Sequence, residues 1–136
     1  MTIEEIKAYF FSNFKDLTLL ENDDDLFFMH KNNEKLPFVT LVTKDNDYDN
    51  VSNLNRDGFF RMNFAIDKET FLSKFEGLTD NKKLEAYMNL DIDFTQQDVI
   101  MPHPTYGTMN WVCIVNPSKG SFELIKEHLQ TTYRKL

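Results

Sequence analysis

The sequence predicts an α+β fold, a two-layer sandwich in which an antiparallel β-sheet is covered on one face by an N-terminal and a C-terminal helix. Three observations predict it. The chain carries apolar residues at helical spacing at both ends, Ile3, Ile6, Phe10 and Phe14 first, then Phe122, Ile125, Leu129 and Tyr133. Between them lie short runs rich in Val, Thr and Phe, bounded by polar turns. Several of these runs follow one another through hairpin-length connections, too short for the crossover that a parallel pair needs.

The first helix spans about Ile3 to Phe14. Thr2 with Glu5 three residues later forms a capping box, in which the hydroxyl accepts one free backbone N–H and the carboxylate accepts another. Two strands follow, "LTLLE" (Leu17 to Glu21) and "LFFMH" (Leu26 to His30), joined by the acidic turn Asn22 to Asp25. "PFVTLVTK" (Pro37 to Lys44) reads as a central strand, because β-branched side chains fit a pleated surface. Asp45 to Gly58, "DNDYDNVSNLNRDG", is a long polar surface loop, of a length found both in binding loops and in disordered segments.

In "FFRMNFAI", Phe60, Met62, Phe64 and Ile66 share one face, and Phe59, Arg61, Asn63 and Ala65 the other. The second row is expected to point outward. Asp67 reads as the N-cap of a helix bearing Phe71, Leu72 and Phe75, and Lys83 to Met88 as a further helical segment. "NWVCIV" (Asn110 to Val115) is a strand, and the last helix begins near Ser121 or Phe122. Its acidic start at Glu123 and its basic end, Arg134-Lys135, suit the helix dipole.

Composition narrows the function. At 136 residues the chain is expected to form one domain, 1–136, since a second core would not fit. The net charge of -7, with basic residues scattered and adjacent only at Lys82-Lys83 and Arg134-Lys135, disfavours nucleic acid and anionic membranes, whose phosphates reward clustered cations. No run reaches the roughly 18 apolar residues of a membrane span. The acidic start and the single cysteine, Cys113, suit a cytoplasmic protein without an internal disulfide.

Four separated motifs, "PFVTLVTKD", "SNLNRDGFFRMNF", "MPHPTYGTMNWVCIVNPS" and the closing helix, resemble an uncharacterised bacterial domain family. That family shares the pattern "TIVTKDY…SNLDR…FRLNIG…PHPVY…WVCVLNP". Asn55, Phe64-Ala65 and Gly107 depart mildly from it. The ending also resembles the MmcQ/YjbR group, which implies a CyaY-like two-layer fold. Neither resemblance implies an established activity, and the DNA binding suggested for the MmcQ/YjbR group transfers poorly to so acidic a chain.

The densest chemistry lies in "MPHPTYGTMNW". Each proline fixes its own φ and extends the residue before it, so His103 sits on a stiff arm ahead of Tyr106 and Gly107. An imidazole mounted this way suits ligand contact; an edge strand stiffened by proline would give the same pattern. Tyr106, Asn110 and Trp111 extend the candidate ligand-binding group, with Trp111 either anchoring a core or walling a pocket. Arg61 and Asn63 on the outward row complete it, if Lys44 and Asp45 lie alongside, as an exposed anion- or peptide-binding surface; the usual alternation of an antiparallel sheet would give the same row as a plain solvated face.

The sequence favours a non-catalytic binding module for a small polar ligand or a partner protein, as monomer or homodimer. The alternative is a small enzyme that uses His103 as general acid or base, oriented by Asp45 or another carboxylate. No cofactor or metal site is expected. Asp45, Asp47 and Asp49 copy the start of an EF-hand loop, but Asn50 and Arg56 stand where glycine and a bidentate glutamate are needed. His30, His103 and His128 have no ligand partner at metal-binding spacing. Cys113, mid-strand among apolar residues, reads as a buried hydrophobe rather than a nucleophile.

Overall fold

The computed structural model describes residues 1–76 and 91–136. The expected helical segment Lys83 to Met88 lies outside the described residues. Among these, six strands form one antiparallel sheet: β1 (Leu17–Asn22), β2 (Asp25–His30), β3 (Val39–Val42), β4 (Arg61–Ala65), β5 (Met101–Pro102) and β6 (Trp111–Val115). Their order across the sheet is β1-β2-β3-β4-β6-β5, so sequence neighbours pair until β6 inserts between β4 and β5. The α-helices among the described residues are α1 (Ile3–Asn13), α2 (Lys68–Lys74) and α3 (Lys119–Arg134). The α+β sandwich is as the patterning predicts.

The helix ends obey local chemistry. Thr2 and Glu5 form both bonds of the capping box on α1. The hydroxyl of Ser118 accepts the N–H of Ser121, which starts α3 at Lys119, two residues before the expected start. Asp67 stands at the head of α2 but makes no side-chain capping bond.

One face of the sheet, formed by Phe28, Val39, Leu41, Met62, Phe64, Val112 and Ile114, is buried under the helices. Ile6 and Phe10 come from α1, Phe71 from α2, and Phe122, Ile125 and Leu129 from α3. The ring of Phe10 lies 4.6 Å from that of Phe28, which places α1 on the sheet. Tyr133 donates its hydroxyl to the carbonyl of Lys15 at 3.0 Å, tying the end of α3 to the chain leaving α1.

The other face departs from expectation. It is not an open, solvated surface along β4, β6 and β5. A second apolar cluster of Leu54, Phe94, Met101, Cys113 and Val115 lies there, flanked by Val42, Val51, Phe59 and Ile92. The contributors outside the strands come from the 45–60 loop and the 91–94 segment. The loop carries its own apolar anchors, Val51, Leu54 and Phe59, at irregular spacing among polar residues, so periodicity does not reveal that it packs.

Candidate functional site

The covering loop turns the outward row of β4 into a buried polar layer. Register places Arg61 between Val42 and Val115, and Asn63 between Thr40 and Cys113. Arg61 is 0% exposed, which corrects the expectation that Arg61 and Asn63 lie open to solvent. The physical reason is the loop: it brings Asp49 and Ser52 to the guanidinium. Nη1 donates to Asp49 Oδ1 at 3.0 Å and to Ser52 Oγ at 2.9 Å, and Nη2 donates to Asp49 Oδ2. Nε donates to Asn63 Oδ1 at 2.9 Å, and Asn63 Nδ2 passes the chain on to Thr40 Oγ1 at 2.8 Å. A cation removed from water is tolerated only with such pairing.

His103 closes this layer from the edge of the sheet. It follows β5, and its N–H donates to the carbonyl of Trp111 at 2.9 Å, extending the ladder by one residue. Pro102 sits on the edge strand, where a missing N–H costs no sheet bond on the outer side. The chain then reverses through a 3-10 turn at Gly107–Met109 and reaches β6 through Asn110 in the left-handed conformation, φ 65°. This reversal lets the backbone N–H groups of Thr105 and Tyr106 both donate to His103 Nδ1 at 3.0 Å.

Those two bonds assign the tautomer: with Nδ1 an acceptor, the neutral ring carries its proton on Nε2. Nε2 lies 3.5 Å from Arg61 Nη2. The imidazole is 4% exposed. Burial first, and the neighbouring Arg61 charge second, lower its pKa to about 3. His103 is therefore neutral at physiological pH. The Tyr106 ring packs 5.0 Å from the imidazole and is 53% exposed, while Trp111 meets it edge-on at 6.5 Å.

Of the residues expected to form a site, the structure gathers His103, Arg61, Asn63, Tyr106 and Trp111. Asn110 serves the turn, accepting the N–H of Ile66 on its carbonyl at 3.0 Å. Lys44 and Asp45 do not join the group, which is a second correction. Lys44 reaches back 2.7 Å to Asp23 in the β1–β2 turn. Asp45 accepts the N–H of Leu54 at 2.9 Å, and its own N–H donates to Asn55 Oδ1, so it organises the loop. Arg56 does the same: it donates to the carbonyls of Ser52, Asn53 and Thr95 and stacks 3.9 Å from the centre of the Phe59 ring.

Asp49, Ser52 and Thr40 belong to the layer, although sequence reasoning left them out. Asp49 lies within the polar loop expected at the surface, where nothing in the sequence sets it apart from Asp45 and Asp47. No carboxylate bonds His103 among the described residues, so the acid–base pair of the enzyme alternative is not formed. Cys113 offers no nucleophile: burial pushes its thiol up to about 12. Two surface depressions, one lined by Glu69, Ser73, Lys74 and His128 and one by Tyr9, Lys119, Phe122 and Lys126, lie away from His103. Among the described residues no cluster of three metal-ligating side chains forms, and no helix is long and apolar enough to cross a membrane.

A family model described as a family of unknown function, DUF6194, matches residues 1–136, and the chain belongs to that family. No curated protein and no solved structure matches it.

Proposed function

We propose that this member of the family is a non-catalytic binding module whose recognition group is His103 with Arg61 behind it and Tyr106 and Trp111 beside it. The observation that carries the reading is the gathering of an imidazole, a guanidinium and two aromatic rings at one edge of the sheet, with His103 Nε2 and Arg61 Nη2 3.5 Å apart. The Tyr106 ring, 53% exposed, turns the outer side of this group to solvent, where a ligand can meet it. A small polar ligand, or a side chain of a partner protein, is the occupant.

The setting we propose is cytoplasmic and bacterial, in a single domain acting as monomer or homodimer. A free, buried Cys113 and the acidic balance of the chain support it. A relation to the MmcQ/YjbR group is part of the proposal, supported by the antiparallel sheet with helices at both ends. DNA binding is not, since the exposed surface gains no arginine from Arg61.

The test is a fragment screen read by amide and imidazole NMR resonances. Saturable shifts are expected at Thr105, Tyr106, Trp111 and the His103 ring, and are expected to vanish in His103→Gln while Tyr106→Ala weakens them. Shifts confined to other surfaces, or unchanged in His103→Gln, would overturn the reading.

A further inference from the structure

We infer that the chain pairs with a second copy of itself through β1, whose outer edge meets the same edge of the other copy in antiparallel register and continues the sheet across a two-fold axis. This edge lies at the far end of the sheet from His103, so the inference stands apart from the binding reading above.

The hairpin decides which groups β1 turns outward. Asp23 and Asp24 both adopt the left-handed conformation, φ 54° and 71°, as a two-residue hairpin turn requires. Asn22 and Asp25 flank that turn as a hydrogen-bonded pair, so bonding to β2 falls on every second residue of β1. Asp16 keeps the same phase, its carbonyl accepting the N–H of Lys31 at 3.1 Å. Leu17, Leu19 and Glu21 therefore direct N–H and C=O away from β2, and no described residue bonds those groups.

The two edges of the sheet are unlike. β5 closes one side with two residues, one of them Pro102, and both features discourage pairing. β1 runs six residues in unbroken register with β2 and contains no proline, lysine or bulge. Its flanks are apolar. Leu19 packs toward the helices, which puts half-exposed Leu20 on the opposite face. Half-exposed Phe11 lies on the side of α1 that overhangs β1, since Lys7, one turn earlier on that side, reaches Glu21 at 3.9 Å.

Charge selects a second copy as the partner. The turn end of β1 carries Glu21, Asp23 and Asp24, with Lys44 on Asp23. The opposite end carries Lys15 and Lys31, with Asp16 on Lys31. Lys15 and Asp24 have no ion-pair partner among the described residues. An antiparallel pair centred on Leu19 sets Leu17 of one copy opposite Glu21 of the other, and Lys15 opposite Asp23. The acidic end of each strand then lies along the basic end of its mate, and all three outward residues exchange bonds. A parallel pair would set acid beside acid. With the other edge blunted at β5, the assembly closes at two copies.

The test is sedimentation velocity on the full chain, with amide hydrogen exchange followed by NMR. One strand pair is a small interface, so the dimer is expected to form as concentration rises from about 1 µM to about 1 mM. Exchange at the amides of Leu17, Leu19 and Glu21 is expected to slow over the same range. Lys15→Glu and Glu21→Lys, both changes of exposed side chains, are each expected to weaken self-association roughly tenfold. Mixing the two variants is expected to restore it, because each altered charge then faces its opposite.

A monomer at every concentration, with those amides unchanged, would overturn the inference. So would a dimer whose slowed amides lie elsewhere, growth beyond two copies, or a mixture that associates no more tightly than either variant alone. If a variant fails to fold, the exchange data on the natural chain decide.

Discussion

Removing the two partners of the Asp49–Arg61 pair should be unequally costly, and the inequality follows from where each would go. Arg61 is 0% exposed and held between β3 and β6, so it cannot reach water without unseating the loop. Asp49 lies on that loop with its side chain 17% exposed, close enough to solvent to hydrate by a small movement. Asp49→Asn therefore strands a buried cation, a change that costs about 3–5 kcal/mol. Arg61→Met removes the cation and leaves Asp49 free to turn outward. Its penalty is the unpaired Ser52 and Asn63, about 1–3 kcal/mol.

The double variant should resemble Arg61→Met alone, because no cation then remains to be stranded. Urea denaturation followed by circular dichroism measures all three. With a slope of about 1–3 kcal/mol per molar urea, the midpoint of Asp49→Asn falls by roughly 2 M. Equal losses for the two single variants, or the reverse order, would refute the reasoning, since Arg61 would then have access to water.

The neutral His103 makes a pH prediction. Its folded-state pKa of about 3 lies below the unfolded value of 6.5, so the unfolded chain binds the proton and stability falls as pH drops below about 6.5. Between pH 7 and pH 5 this contributes a loss of about 2 kcal/mol, which His103→Gln lacks; parallel pH–stability curves for the two proteins would contradict it. Cys113, buried with its thiol pushed up to about 12, should resist iodoacetamide in the folded protein and react once urea unfolds it; rapid native labelling, read by mass spectrometry, would contradict its burial. Phe10→Ala should lower stability by about 3–5 kcal/mol in the same urea assay, because the ring packs against Phe28 in the core; a loss below about 1 kcal/mol would place α1 elsewhere.

The layer of helices was legible because its signals are local and periodic. Thr2 and Glu5 are three residues apart, and the stripes of α1 and α3 repeat at helical spacing. Alternation along β4 also separated the two rows of side chains correctly. What it could not tell was whether the polar row meets water, because that depends on a loop whose anchors Val51, Leu54 and Phe59 follow no period. The same limit acted on the site. His103, Tyr106 and Trp111 flank one short turn and are close in sequence, so they were found together. Asp49, Ser52 and Thr40 reach Arg61 only through folding, and Asp45 bonds within its own loop instead. Asp49 and Asp45 have equivalent acidic surroundings in sequence, and only the loop path distinguishes them.

The two faces of the sheet then pose a question of economy in charge. The face under the helices is built from apolar side chains, and they suffice to bury it. The second face already has the means to do likewise, since Leu54, Phe94, Met101, Cys113 and Val115 pack there. Replacing a buried ion pair by apolar groups of similar volume is often neutral or stabilising, so stability alone does not account for Arg61 in that position. What the ion pair does supply is placement. It fixes the loop through Asp49 and Ser52, and it sets a guanidinium nitrogen 3.5 Å from His103 Nε2. An apolar residue at position 61 would keep the sheet and remove that charge from behind the imidazole. Arg61→Met therefore separates the roles: the fold should survive it with a modest loss, while ligand-induced shifts at His103 should weaken.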